Sequence, residues 1–126
     1  LVFLLERFHF THVYHYPGMR WEDVEDMDRR LSALNTRVCI LTIHPEKMRQ
    51  RITRDTHKNG WQAFLERFGS SEGEIIRHFA RQQEMLLALA GRSCLPCRII
   101  DTSEIPAEQV AQEMLAFWAV TEPANP

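Results

Sequence analysis

The stretch RVCILTIHPE, residues 37–46, decides the fold class of this 126-residue chain. Residues 37–43 are mostly apolar and β-branched, a composition typical of a strand that is buried on both faces of a parallel sheet. Pro45 then fits the first turn of a helix, because the N–H that proline lacks would have no partner inside the helix. A buried strand that leads directly into a helix predicts an α/β fold.

Strands and helices alternate on both sides of this stretch. Residues 1–5 form a continuous apolar run that predicts another buried strand, and residues 96–101 predict a third. The His-rich residues 9–16 between the first strand and the first helix are predicted to form a loop. Helices are predicted at residues 21–34, 45–56, 61–68, 72–90 and 106–120. The sequence therefore predicts one α/β domain with a parallel sheet flanked by helices.

Composition excludes several classes of protein. The chain is 44% hydrophobic and 25% charged, with a net charge of −2, which gives no indication of a surface for nucleic acid or membranes. No apolar stretch approaches the roughly 20 residues of a membrane span. Three cysteines, an odd number, disfavour a secreted disulfide scaffold. We therefore expect a cytoplasmic protein.

Polar side chains follow all three predicted strands. They are Glu6 and Arg7 after the first strand, His44 after the second, and Asp101, Thr102 and Ser103 after the third. Open α/β sheets bind ligands at the carboxyl ends of their strands, so these residues are expected to share one site. The carboxylate of Glu6 suits Mg²⁺ and the guanidinium of Arg7 suits a phosphate. The alternative is an exposed ion pair with no measurable effect.

Three arginines lie on the helix predicted at residues 45–56. Arg51 and Arg54 are three residues apart and share a face, whereas Arg49 points elsewhere. One interpretation is a solvated helix face. The other is a helical lid, at about residues 47–70, whose arginines stabilise charge on a transferring phosphoryl group.

Histidines and cysteines offer a third interpretation. His9, His12 and His15 recur at intervals of three residues, and Cys94 and Cys97 form a single C-x-x-C motif. Zinc sites use such spacings, but no carboxylate lies within the His run and no second cysteine pair is present. Structural cysteines are therefore favoured over a metal or redox protein.

Taken together, these motifs resemble the P-loop nucleoside and nucleotide kinases, most closely the thymidylate and deoxynucleoside kinases. The segment ERF at residues 6–8 is similar to the acid-Arg pair that ends the third strand of that family. HPEKMRQRITR at residues 44–54 is similar to the exit of the fourth strand and the lid helix. DTSEIPAEQV at residues 101–110 is similar to the loop that borders the adenine base. The resemblance implies a three-layer α/β/α sandwich.

The resemblance also implies roles for individual residues. Glu6 would bind Mg²⁺ or act on the acceptor, Arg7 would hold phosphate, and Arg51 and Arg54 would stabilise the transition state. The acceptor side would be lined by Phe8, His9, Thr11, His12 and Tyr14. ATP would contact Asp101, Thr102 and Ser103. The implied cofactors are ATP and Mg²⁺, the implied partner is a small acceptor such as a nucleoside or nucleotide, and a homodimer is possible.

One departure from the family pattern is large. The motif G-x-x-x-x-G-K-[ST] does not occur, since glycine is found only at positions 18, 60, 69, 73 and 91. We therefore expect residues 1–126 to be the C-terminal part of a kinase-like domain, inactive without an upstream P-loop. In that topology a further strand separates residues 1–5 from residues 37–43 by about 9.6 Å. The alternative is a non-catalytic binding or regulatory module.

Overall fold

Helices and strands alternate along the chain in the computed structural model, which describes residues 3–52 and 59–119. The elements in these ranges are α1 (His9–His15), α2 (Trp21–Ser32), β1 (Val38–Thr42), α3 (Pro45–Ile52), α4 (Trp61–Leu65), α5 (Glu72–Arg92), β2 (Cys97–Asp101) and α6 (Ala107–Ala119). This order confirms the predicted α/β class. Part of the predicted lid lies outside the described residues.

The described sheet contains two parallel strands. β1 pairs directly with β2, in a register that runs from Val38 opposite Cys97 to Thr42 opposite Asp101. The predicted parallel sheet is confirmed for these two strands. Because parallel strands end at the same edge, the residues that follow Thr42 and Asp101 come together there.

Helices cover both faces of this sheet. Ile40 of β1 is buried in a cluster with Phe10, Trp21 and Leu89, which come from α1, α2 and α5. Arg98 of β2 lies one residue before the partner of Ile40, so its side chain points to the opposite face. There it forms an ion pair with Glu113 of α6 at 3.7 Å. The described region is therefore layered as helix, sheet and helix.

The strand predicted at residues 1–5 does not form over residues 3–5. Phe3, Leu4 and Leu5 have no regular secondary structure and are 76%, 85% and 58% exposed. Leu1 and Val2 lie outside the described residues. An apolar run becomes a buried strand only when a neighbouring strand pairs with its backbone, and the described strands pair only with each other. The spacing of about 9.6 Å that we expected from residues 1–5 stays untested.

The predicted His-rich loop is instead the helix α1. His9 and Phe10 are buried. Val13, four residues after His9 and three after Phe10, packs against the buried cluster that contains Phe10. The ring of Phe10 meets the ring of Trp21 edge-to-face, with 6.0 Å between centroids. The polar and aromatic residues in this run obscured the helical period, because only one face of α1 is packed.

Replacement of two glycines near the ends of α5 by alanine should change stability in opposite directions. A Cβ at Gly69 would lie 2.6 Å from Cβ of Glu74, whereas a Cβ at Gly91 meets nothing within 4 Å. Gly91, the residue after the helix predicted at residues 72–90, lies inside the last turn of α5. We expect Gly69→Ala to lower the free energy of unfolding by about 1–3 kcal/mol through overpacking. Gly91→Ala should raise it by about 0.5–1 kcal/mol. Equal effects of the two changes in urea unfolding would contradict this prediction.

No helix among the described residues has both the length and the apolar character needed to cross a bilayer.

Candidate functional site

The carboxyl edge of the sheet is held together by Thr42 and Thr102. The backbone N–H of Thr102 donates to the carbonyl oxygen of Thr42 at 2.8 Å, and the Thr102 hydroxyl donates to the same oxygen at 2.9 Å. Both residues are buried. The two strand ends are therefore fixed relative to each other at the point where the chain leaves the sheet.

Asp101 and Ser103 connect this edge to the start of α3. The backbone N–H and the hydroxyl of Ser103 donate to Oδ1 of Asp101 at 2.9 and 2.5 Å. The backbone N–H of His44 donates to the Ser103 hydroxyl oxygen at 2.8 Å. The hydrogen bonds from Ser103 hold the pKa of Asp101 below its usual value. Asp101 is therefore an ionised, exposed carboxylate at the carboxyl edge.

Arg51 reaches the same edge from the last turn of α3. Its Nη1 donates to the hydroxyl oxygen of Thr102 at 2.7 Å, and its Nη2 donates to the Thr102 carbonyl oxygen. The interpretation as a solvated helix face is therefore wrong for Arg51, which is half-buried. Arg49 does point elsewhere, to an ion pair with Glu72 of α5 at 2.6 Å. Arg54 lies outside the described residues.

An open groove of 610 Å³ lies between β1 and the start of α6. Arg51 and Thr102 contribute its polar wall, and apolar side chains such as Leu41, Ile105 and Val110 contribute the rest. We call it the β1–α6 groove. A guanidinium beside apolar walls suits a ligand that has both an anionic part and an apolar part.

Glu6 and Arg7 do not line this groove. They form an ion pair with each other at 3.3 Å, and their side chains are mostly exposed. Arg7 has a φ of 54°, in the left-handed region that non-glycine residues seldom adopt. Among the described residues, neither side chain hydrogen-bonds to the groups that end β1 or β2. The geometry is that of an exposed ion pair, which ordinarily adds little stability.

The five residues expected on the acceptor side have different environments. His9 and Thr11 are buried, and the Thr11 hydroxyl donates to the carbonyl oxygen of Phe8 at 2.7 Å. Phe8 and His12 are exposed. Tyr14 is half-buried, and burial raises the pKa of its hydroxyl. Phe8, His12 and Tyr14 are thus accessible to a ligand, whereas His9 and Thr11 belong to the packing of α1.

A buried polar cluster around Asp28 was not predicted from the sequence. Asp28 is 1% exposed and accepts hydrogen bonds from His9 Nε2 at 2.7 Å, the Ser93 hydroxyl at 2.7 Å and the Cys94 backbone N–H at 2.8 Å. Burial raises the pKa of Asp28, but these hydrogen bonds together outweigh burial and hold it below its usual value. The sequence does contain an indication of this cluster, because Asp28 follows the buried Val24 by four residues on the apolar face of α2.

Cys94 and Cys97 lie close to this cluster, and all three cysteines are free. Burial raises the pKa of the Cys39 and Cys97 thiols, and a hydrogen bond to Asp28 raises the pKa of Cys94. Protonated thiols are poor nucleophiles and poor metal ligands. Within residues 3–52 and 59–119, no group of three His, Cys, Asp or Glu side chains could hold a metal ion. The raised pKa values of the three thiols favour structural cysteines.

Comparisons with protein-family models, with curated proteins and with solved structures gave no match. The geometry of the carboxyl edge is therefore the main indication of function.

Proposed function

We propose that this chain is part of an ATP-dependent phosphotransferase that acts on a nucleoside, a nucleotide or a similar small acceptor. The observation that supports this best is the position of Arg51. Helix α3 starts at the end of β1 and brings the guanidinium to Thr102 at the end of β2, on the wall of the β1–α6 groove. The residues that would bind phosphate at this carboxyl edge therefore come from two separate segments of the chain.

The residues at this edge fit part of a Mg²⁺-bound nucleotide. Arg51 lines the groove as a planar donor group, and its hydrogen bonds to Thr102 fix its orientation before any ligand arrives. Asp101 offers an ionised carboxylate, the ligand type that Mg²⁺ prefers, directly or through water. Ile105 and Pro106 offer an apolar surface to a base.

The same residues do not supply every part of an ATP site. The glycine-rich backbone cradle of a P-loop does not occur in the 126 residues, so in this proposal another segment or chain provides it. Glu6, Arg7, Phe8, His12 and Tyr14 remain our candidates for the acceptor side. A cytoplasmic location and a homodimer also remain predictions.

The groove with Arg51 on its wall also supports a second candidate function. A module that retains Arg51 and the groove could bind a phosphorylated ligand for regulation without transferring its phosphoryl group. This candidate shares the ligand chemistry of the first but predicts no product.

A titration distinguishes these functions. The full-length protein that includes this chain is titrated with ATP and Mg²⁺, with adenosine and with inorganic phosphate in a calorimeter, and ADP release is measured with a panel of nucleosides and nucleoside monophosphates. We expect saturable binding of ATP that is tighter than that of adenosine or phosphate alone. Binding without ADP release for any acceptor would favour the regulatory module. An ATP titration with no saturable heat would reject the phosphotransferase, and no saturable heat with either ATP or phosphate would reject both functions.

A further inference from the structure

The side chain of Gln83, on α5, binds both backbone polar groups of Ile43. The N–H of Ile43 donates to Oε1 of Gln83 at 2.8 Å, and Nε2 of Gln83 donates to the Ile43 carbonyl oxygen at 3.1 Å. A primary amide has one acceptor and two donor positions, so it reproduces the pairing of a neighbouring peptide group. One side chain thus takes the place of a neighbouring strand at the end of β1.

The direction of these hydrogen bonds shows which edge Gln83 occupies. Val38 donates to the carbonyl oxygen of Pro96, and Thr42 accepts from the N–H of Thr102, so alternate residues of β1 face β2. Ile43 directly follows Thr42 and therefore presents its backbone groups to the other side. Gln83 consequently holds the exit of β1 from the side away from β2.

The residues that follow Ile43 are held from the other side, by residues of the loop after β2. His44 donates its backbone N–H to Ser103, and α3 starts at Pro45. Arg51, in the last turn of the same helix, bonds to Thr102. The start of α3 is thus held between α5 and the loop after β2, and Ile43 itself lines the β1–α6 groove.

We propose that Gln83 is a positioning residue for this groove: it fixes the exit of β1 and so determines where α3 places Arg51. The phosphate-binding part of this inference rests on the function proposed above. The positioning part does not, because it concerns only the location of the Arg51 side chain.

The test is a double-mutant cycle with a matched control. Gln83→Met keeps the length of the side chain but removes both hydrogen bonds, and Gln82→Met makes the same change at the adjacent residue of α5. We expect Gln83→Met to weaken the binding of Mg²⁺-ATP about tenfold in the native background and to have no further effect in an Arg51→Ala background. Gln82→Met should leave the affinity unchanged.

A second measurement does not require nucleotide binding. In NMR spectra of the ligand-free protein, the Arg51 guanidinium resonance, assigned by its loss in Arg51→Ala, should shift in Gln83→Met and not in Gln82→Met. The amide of Ile43 should lose protection from hydrogen exchange in the same variant. If the native protein does not bind ATP, the proposed function fails, and the Arg51 resonance still decides the positioning role.

Two results would overturn the inference. An unchanged Arg51 resonance in Gln83→Met would show that Gln83 does not position the guanidinium. An equal loss of ATP affinity in the native and Arg51→Ala backgrounds would show that Gln83 acts through general stability and not through Arg51.

Discussion

Replacing Asp28 with alanine is expected to lower the free energy of unfolding by about 3–5 kcal/mol. The change removes a buried ionised carboxylate and leaves the polar groups of His9, Ser93 and Cys94 without their acceptor. These three groups belong to α1 and to the turn before β2. The side chain of Asp28 therefore joins α2 to two other parts of the chain. Urea unfolding followed by circular dichroism measures the loss.

Asp26 provides the matched control on the same helix. Its side chain is mostly exposed, and it pairs with Arg29 at 3.5 Å and Arg30 at 3.9 Å. Exposed pairs of this kind contribute little, so Asp26→Ala should change the free energy of unfolding by less than about 1 kcal/mol. Similar losses in the two variants would show that the buried cluster contributes no more than a surface ion pair.

The pH dependence of stability in acid provides a second test of the Asp28 cluster. The pKa of Asp28 in the folded protein lies below its value in the unfolded chain, so the carboxylate stabilises the fold fully above the unfolded pKa, about 3.9. This contribution is lost as the pH falls through the folded pKa. The difference in stability between the native protein and Asp28→Asn should therefore narrow below about pH 4.

Those parts of the fold that depend on local signals could be predicted from the sequence. The β-branched run before Pro45 predicted β1 and α3, and Ser71 accepts from the N–H of Glu74 as a capping serine should. Both features are encoded within a few consecutive residues. For the same reason the parallel class of the sheet followed from the alternation of strands and helices.

Features that depend on distant residues could not be predicted in this way. The hydrogen bonds of Arg51 to Thr102 and of Gln83 to Ile43 join residues that are 51 and 40 positions apart. Sequence patterns placed Thr102 at a strand end and Arg51 on a helix but could not pair them. At residues 3–5 the apolar pattern was misleading, because burial of a strand requires a partner strand that the pattern does not specify.

Arg51→Ala is expected to weaken the binding of Mg²⁺-ATP by about 10- to 100-fold. A hydrogen bond to a charged group contributes about 1.5–3 kcal/mol, and each 1.4 kcal/mol corresponds to a factor of about ten in the dissociation constant. Arg51→Lys should bind with intermediate affinity, because it keeps the charge but loses the planar pair of donors. Isothermal titration calorimetry measures all three proteins under one set of ionic conditions.

Arg49→Ala is the control that separates a local effect from a change in overall charge. Arg49 lies on the same helix and carries the same charge, but it forms its ion pair with Glu72 on α5 and does not line the groove. Its replacement should leave the ATP affinity unchanged, whereas Arg51→Ala should also cost stability through the lost bonds to Thr102. Equal losses of affinity in both variants would indicate long-range attraction of the anion and would contradict a phosphate contact by Arg51.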